Sequence, residues 1–120
     1  IKHHPMDRGR IDYSKFIADL SQELNIANRV KVVHDVHLPT LLKNAIGTIT
    51  INSTVGLSSL YHETPVICLG RAMYDIEGLT AKDVDLDGFW SLDLQVNKGL
   101  YKKFRAYLVK NTQVNMSFYI

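Results

Sequence analysis

Apolar residues recur at every third or fourth position in three stretches of the chain, which predicts three amphipathic helices. The first covers residues 11–24, with Asp12 placed to cap its start. Its expected apolar face comprises Tyr13, Phe16, Ile17, Leu20 and Leu24. The second covers residues 38–44, with Pro39 in its first turn, where proline is tolerated. The third lies near the end of the chain, and its apolar face comprises Leu100, Tyr101, Phe104, Tyr107 and Leu108.

Short apolar runs of strand length lie between these helices, at residues 30–33, 46–52 and 64–69. A further short helix is expected at residues 57–62. Residues 71–96 show no clear period, so they predict a long loop with short pieces of structure. Because strands that alternate with helices are typical of βαβ units, we expect an α/β fold with a parallel sheet.

The length and composition narrow the possible classes of protein. The chain has 120 residues, of which 46% are hydrophobic and 22% charged, which suits one globular domain. No apolar run approaches the roughly 20 residues of a membrane-spanning helix. The single cysteine, Cys68, excludes an internal disulfide framework, and we expect it in the core of the third strand. A first strand is expected before the His3-His4-Pro5 segment, but only Ile1 and Lys2 are present to form it. We therefore expect the chain to be a piece of a larger protein.

Charge is distributed unevenly along the chain. The formal net charge of +2 is too small to indicate a nucleic-acid partner. Residues 72–93 contain six acids and one base, whereas residues 94–120 contain five bases and no acid. The pattern predicts an acidic loop followed by a basic helix. The bases form either a solvated helix face or a surface that meets an anionic membrane or another domain.

The strongest local candidate for a site is the segment 49–57, where an apolar strand ends in small hydroxyl residues at the start of a helix. Backbone N–H groups and the dipole at a helix start favour an anion. Ser53 or Thr54 can add a hydroxyl donor, and Gly56 lets a ligand approach the backbone closely. The alternative interpretation is that Ser53 only caps the helix.

A second candidate lies at the start of the chain, where Lys2, His4 and Pro5 stand close together. In a parallel sheet this segment lies at the carboxyl edge of the first strand, where ligands of open α/β folds bind. His4 can donate to a phosphate, Pro5 fixes the turn and Lys2 supplies charge. An exposed basic loop is the alternative. Because Ser53 also follows a strand, the two segments together favour a phosphate-bearing ligand.

Two further polar segments have weaker signals. His34, Asp35 and His37 include zinc-ligand types, but no third imidazole or thiolate stands at a convincing spacing, so no metal site is predicted. They line a ligand crevice or form an ordinary loop. Asp75 and Glu77 offer carboxylates for sugar hydroxyls or acid–base work, or belong to a solvated acidic loop.

Several of these motifs occur together in a fixed order, and the ordered set resembles the bacterial capsule polysaccharide biosynthesis/export family. The motifs are Lys2-X-His4-Pro5, Asn52-Ser53-Thr54-Val55-Gly56-Leu57, Pro65-Val66, Leu69-Gly70-Arg71-Ala72-X-Tyr74 and Gly78-Leu79-Thr80. The family includes the β-Kdo transferases that build the lipid-proximal linker of capsules. The resemblance implies the C-terminal, Rossmann-like half of a two-domain, B-type glycosyltransferase, with a three-layer parallel sheet. Residues 1–120 then form a single donor-nucleotide-binding domain.

The resemblance also implies roles for individual residues. His4 matches the histidine of the family's His-Pro motif, and Ser53 and Thr54 match its hydroxyl pair. Both motifs hold the CMP phosphate in the family. Preorganised donors stabilise charge on a leaving phosphate, and a histidine poised near neutral pH can also protonate it. Gly56 is expected at the phosphate with His4, Ser53 and Thr54. Further positions that match family motifs, and are expected near the donor, are Lys2, Pro5, Asn52 and Tyr74.

The implied reaction is transfer of Kdo from CMP-Kdo to a lipid-linked saccharide or phospholipid, by a cytoplasmic protein at the periphery of the inner membrane. No cofactor is required by the sequence, and a need for magnesium stays open. The catalytic base is expected in an N-terminal half outside this chain, so the chain alone is expected to be inactive. The alternatives are a sialyltransferase-like CMP-sugar enzyme, a UDP-sugar enzyme and a non-catalytic module of the capsule export apparatus. Ser58 and Ser59 stand where many UDP-sugar enzymes carry a ribose-binding Glu, which disfavours UDP.

Overall fold

A computed structural model describes residues 1–3 and 11–112 of the chain. The described residues fall into two compact units, the first covering Ile1–His37 and the second beginning at Leu38. Each unit is described by itself.

The first unit contains helix α1, Ser14–Glu23, and a short 3-10 helix, Ala27–Arg29. Asp12 Oδ1 accepts a hydrogen bond from Ser14 N at 2.8 Å, so Asp12 provides a partner for an N–H group at the start of the helix, as predicted. The helix begins three residues later than expected.

The strand predicted at residues 30–33 is reduced to a parallel bridge between Lys2 and Val33. Val33 N donates to Ile1 O at 2.8 Å, and His3 N donates to Val33 O at 2.9 Å.

The predicted apolar face of α1 is largely exposed within its unit. Phe16, for example, keeps 64% of its surface accessible, and Tyr13, Leu20 and Leu24 are exposed as well. The buried residue of this helix is Ser21, whose Oγ donates to Ala18 O at 2.8 Å. The helical period was therefore predicted correctly, but it does not mark a buried surface here.

The second unit carries most of the regular structure. Its elements in chain order are α2 (Leu38–Asn44), β1 (Thr48–Thr50), α3 (Val55–Tyr61), β2 (Val66–Cys68), α4 (Leu86–Ser91) and α5 (Lys98–Thr112). The helices predicted at residues 38–44 and 57–62 and near the end of the chain are confirmed. The long loop predicted at residues 71–96 contains α4, which Asp85 caps by accepting from Gly88 N at 2.6 Å.

Strands β1 and β2 are parallel neighbours joined through α3, which confirms a βαβ unit. The register pairs Thr48 with Val66, Ile49 with Ile67 and Thr50 with Cys68. Among the described residues, the named strands form one two-stranded sheet. The α/β class and the parallel pairing are therefore confirmed, whereas a three-layer, Rossmann-like architecture is not.

The core of the second unit lies on both faces of this sheet, because successive strand side chains point to opposite faces. One cluster contains Leu60, Val66, Tyr74 and Leu79, and residues of α5 pack against it. The other contains Ile67, Ala81 and Phe89. Cys68 is half-buried against the first cluster, as expected for a core cysteine.

None of the helices in the described part of the chain has the length and apolar character needed to cross a bilayer.

Candidate functional site

The β1–α3 turn, residues 51–54, follows the carboxyl end of β1 and leads into α3. Thr50 Oγ1 accepts from Ser53 N at 3.2 Å, and Ser53 Oγ accepts from Val55 N at 3.2 Å. Gly56 N donates to Ser53 O at 3.0 Å. The N-cap residue is Thr54 rather than Ser53, but Ser53 does satisfy an N–H at the start of the helix.

Other polar groups of the turn are available for a ligand. The Ser53 hydroxyl accepts one bond and keeps its hydrogen for donation to a ligand. Thr54 is exposed and makes no side-chain capping bond, and Asn52 is exposed beside them. The turn thus presents two hydroxyls and one amide on consecutive residues, the set that the sequence predicts for donor binding.

Tyr74 packs behind the turn. It is only 1% exposed, and its hydroxyl donates a hydrogen bond to the Ser53 carbonyl oxygen. A Cβ atom at Gly56 would overlap the Tyr74 ring. Tyr74 therefore fills the space beside Gly56, and this close packing requires a residue without a side chain at position 56. Participation of Gly56 in donor binding stays a prediction.

The surroundings of Tyr74 keep its hydroxyl protonated. Burial raises the pKa of the Tyr74 hydroxyl, and the neighbouring Cys68 thiol adds to the effect. Burial likewise raises the pKa of Cys68, with a smaller contribution from the charge of Asp75. Tyr74 thus stays a hydrogen-bond donor to Ser53 at physiological pH.

The acidic segment after Tyr74 is ordered by its own hydrogen bonds. Asp75 Oδ1 accepts from Thr80 Oγ1 at 2.6 Å, and Glu77 forms a bridge with Thr80. Gly78 lies between them with φ +83°, in the left-handed region that favours glycine. At least one carboxylate of this loop therefore has a structural partner, and a role in binding sugar hydroxyls stays a prediction.

The two serines of α3 differ in their surroundings. Ser59 is fully buried, with its Oγ 2.7 Å from Thr48 Oγ1 and donating to Thr64 O at 3.2 Å. Ser58 is half-buried. Ser59 therefore belongs to the core, and its hydroxyl holds α3 against β1.

In the first unit, Lys2 is half-buried and bridged to Val33, and its Nζ donates to His3 O at 3.1 Å. A cavity of about 300 Å³ adjoins Lys2 and His3. His4 and Pro5 lie outside the described residues, so their predicted roles stay predictions.

Two histidines of the first unit, His3 and His34, are in ring contact. The His3 and His34 ring centroids lie 5.0 Å apart. The pKa of Asp12 is lowered chiefly by its hydrogen bonds with Ser14, with small contributions from both imidazoles. Within residues 1–3 and 11–112, no three His, Cys, Asp or Glu side chains are grouped to hold a metal ion.

The second unit therefore brings Ser53, Gly56 and Tyr74 into contact, with Asn52 and Thr54 on the same turn. The sequence analysis predicts that all of these residues lie near the ligand, but it does not predict the hydrogen bond from Tyr74 to Ser53. A local pattern has no signal for this contact, because 21 residues separate the two positions.

Comparison with known proteins identifies a family and several similar bacterial proteins. A family described as capsule polysaccharide biosynthesis protein matches residues 1–119. The capsule polysaccharide export protein KpsS of Escherichia coli is 47% identical over 119 residues, and the capsule polysaccharide modification protein LipB of Neisseria meningitidis serogroup A is 48% identical over 120 residues. Both alignments cover 99% of this chain but only 30% and 28% of the respective relatives. No solved structure matches significantly.

Proposed function

Because this chain belongs to the capsule polysaccharide biosynthesis family, we propose that it is part of the donor-binding half of a glycosyltransferase that moves Kdo from CMP-Kdo. The observation that carries the proposal is the β1–α3 turn, where the Ser53 and Thr54 hydroxyls follow the carboxyl end of a parallel strand. Ligands of open α/β folds bind at that edge of the sheet.

The phosphate of CMP is the part of the donor that this turn suits. Ser53 can donate its hydroxyl hydrogen while it accepts from Val55 N, and Thr54 is exposed beside it. A hydrogen bond to a charged acceptor contributes about 1.5–3 kcal/mol. Tyr74 supports the turn from behind through the Ser53 carbonyl oxygen, which limits the reorganisation needed when the donor binds.

The remaining donors belong to the first unit. The proposal assigns phosphate binding also to His4, on the basis of its His-Pro motif, with Pro5 fixing the turn and Lys2 supplying positive charge. Asn52 is assigned to the nucleotide or sugar through its exposed amide.

The reaction breaks the bond between the anomeric carbon of Kdo and the phosphate oxygen of CMP. The electron pair of that bond stays on the phosphate, where Ser53, Thr54 and His4 stabilise the charge that develops or His4 supplies a proton. An acceptor hydroxyl forms the new bond to the anomeric carbon, and its proton passes to a base. We assign that base to another part of the full-length protein, since this chain spans less than a third of its relatives' length.

The acceptor in this proposal is a lipid-linked saccharide or a phospholipid, met on the cytoplasmic side of the inner membrane. Besides the donor and the acceptor the proposal requires no cofactor, and activity assays with and without magnesium test a requirement for that ion. A second candidate is a non-catalytic module of the capsule export apparatus. The name of the E. coli relative, a capsule polysaccharide export protein, favours this candidate.

The proposal is tested by calorimetric titration of the full-length gene product with CMP, UMP and AMP. We expect CMP to bind at least tenfold more tightly than the other two nucleotides. Ser53→Ala and His4→Ala should each weaken CMP binding about tenfold, the loss of one charge-assisted hydrogen bond. Ser91→Ala, an exposed serine in α4, is the matched control and should leave binding unchanged.

Three outcomes separate the candidates. Absence of CMP binding to the full-length protein contradicts the transferase proposal and supports the export module. Equal binding of UMP supports a UDP-sugar enzyme. Where CMP does bind selectively, turnover is compared between CMP-Kdo and CMP-sialic acid, and transfer from CMP-sialic acid alone would assign the protein to a sialyltransferase-like activity.

A further inference from the structure

Arg71 follows the carboxyl end of β2, at the same edge of the sheet as the β1–α3 turn. The parallel pairing of the two strands continues beyond their last residues. Leu69 N donates to Thr50 O at 2.8 Å, and Gly70 N donates to Ile51 O at 2.9 Å. Arg71 is the next residue along the chain, so its backbone lies beside the start of the turn.

The segment that carries Arg71 is held against the turn at both ends. At one end the chain passes so close to the turn that a Cβ atom at Gly70 would lie 2.8 Å from Ile51 Cγ2. At the other end the Tyr74 hydroxyl donates to the Ser53 carbonyl oxygen. Arg71 therefore occupies a defined place next to the candidate phosphate donors, between two fixed contacts.

The charge of Arg71 is available for a ligand. Arg71 is exposed, and it takes part in neither of the ion pairs found in the described part of the chain. The nearest acid along the chain is Asp75, whose Oδ1 accepts from Thr80 Oγ1 at 2.6 Å. Residues 51–74 contain one other formal charge, on Glu63, which pairs with a lysine of α5. Arg71 thus supplies the positive charge of this edge of the second unit.

The donor in the proposed reaction carries two kinds of anionic group. In CMP-Kdo, a carboxylate and the bridging phosphate oxygen are attached to the same anomeric carbon, so the protein groups that bind them must lie side by side. The hydroxyls of Ser53 and Thr54 are assigned to the phosphate, which leaves the carboxylate to be recognised. A guanidinium is suited to this task, because its planar fork can donate two parallel hydrogen bonds to a carboxylate.

We propose that Arg71 binds the carboxylate of the donor sugar through two hydrogen bonds and thereby selects acidic sugars over neutral ones. The inference rests on the proposed function, since it assigns a further residue to the same donor site. It accounts for a discrimination that the turn alone does not provide, because a phosphate is present in every nucleotide sugar. A neutral sugar would offer the guanidinium no charged partner, so it would lose the stronger, charge-assisted hydrogen bonds.

The test uses calorimetric titration of the full-length gene product with three ligands. These are CMP, a phosphonate analogue of CMP-Kdo that resists hydrolysis, and the methyl ester of that analogue, which lacks the carboxylate charge. We expect the native protein to bind the acid at least tenfold more tightly than the ester. Arg71→Gln should weaken binding of the acid at least tenfold, and it should change binding of the ester and of CMP less than twofold.

Two further variants serve as comparisons, and circular dichroism spectra verify the fold of each. Arg71→Lys keeps the charge but removes the planar fork, so affinity for the acid should fall at least threefold. Arg105→Gln is the matched control, because Arg105 is an exposed arginine of α5 near Tyr61, at the end of α3 opposite to Ser53. It should change binding of all three ligands less than twofold.

The contrary results have different meanings. If the native protein binds CMP but Arg71→Gln keeps full affinity for the acid, the carboxylate assignment is wrong and the proposed function stands. An equal loss for all three ligands indicates that Arg71 contacts the nucleotide instead, and an equal loss with Arg105→Gln indicates general attraction of anions. Each of these two results also overturns the inference. Absence of CMP binding to the native protein contradicts the proposed function itself, and the inference with it.

Discussion

The Tyr74 hydroxyl donates a hydrogen bond to the Ser53 carbonyl oxygen, and this bond joins the loop after β2 to the turn before α3. The Tyr74 ring also fills the space beside Gly56, which is buried in the first turn of α3. One aromatic side chain thus helps to position the turn that carries the candidate phosphate donors. Four predictions follow from this arrangement and from the neighbouring core.

Tyr74→Phe removes the hydroxyl but keeps the ring. Because the Ser53 carbonyl oxygen still accepts from Gly56 N, we expect a moderate loss of about 1 kcal/mol in the free energy of unfolding. Urea denaturation measures this loss. Tyr107→Phe, at an exposed position of α5, is the control and should have no effect. An equal stability of the two variants would show that the Tyr74 hydroxyl contributes nothing to the fold.

Gly56→Ala places a methyl group against the Tyr74 ring, and overpacking of this kind costs about 1–3 kcal/mol. Gly99→Ala is the matched control, since a new Cβ there would lie 3.5 Å from its nearest neighbour, Asn97 Oδ1, which is an ordinary van der Waals contact. We expect the control to be neutral or slightly stabilising.

The Gly56 effect should depend on Tyr74. In a double-mutant cycle with Tyr74→Leu, which has a smaller side chain, Gly56→Ala should cost less than it does in the native background. If the losses in unfolding free energy from the two substitutions simply add, in thermal or urea unfolding, the Tyr74 ring is not the reason that position 56 requires glycine.

Ser59→Ala tests the buried hydroxyl cluster between α3 and β1. Ser59 Oγ is bonded to Thr48 Oγ1 and to Thr64 O, so its removal leaves buried polar atoms without a partner and should cost about 1–3 kcal/mol. The neighbouring Ser58→Ala is the control on the same helix and should change the unfolding free energy by less than about 0.5 kcal/mol. Comparable losses in both variants would contradict a special role for Ser59.

Stability should fall in alkaline solution. Burial raises the pKa of the Tyr74 hydroxyl above its ordinary value of 10.0, and that of the Cys68 thiol above 9.0. Above these values the folded state holds more protons than the unfolded state, so the unfolding free energy decreases as pH rises. Well below pH 9 both groups are protonated in the folded and the unfolded state, so neither contributes such a slope.

The contribution of Tyr74 can be isolated by difference. Urea unfolding between pH 8 and 11 should show a shallower decline for Tyr74→Phe than for the native protein, with the two curves approaching each other above pH 10. Titration of the lysines is common to both proteins and cancels in the comparison. Parallel curves would mean that Tyr74 titrates in the folded state as it does in the unfolded state.

Local patterns in the sequence determined most elements of the second unit, although not α4. Pro39 and the apolar spacing of residues 38–44 predict α2, and the run at residues 46–52 predicts β1. Their order and spacing also predict the parallel pairing of β1 with β2. These inferences succeed because helix and strand periods express hydrogen bonding between residues close in the chain, which a short stretch of sequence already contains.

Only the tertiary structure decided what each side chain does. Ser59 lies on α3 next to Ser58, yet it is buried between Thr48 and Thr64, and Tyr74 reaches Ser53 across 21 residues. The apolar spacing of α1 predicts a buried face, but that face is exposed within its unit. One cavity is likewise lined by Tyr61 of α3 and by Tyr101 and Arg105 of α5. Such contacts depend on how distant elements pack, and no period along the chain encodes that packing.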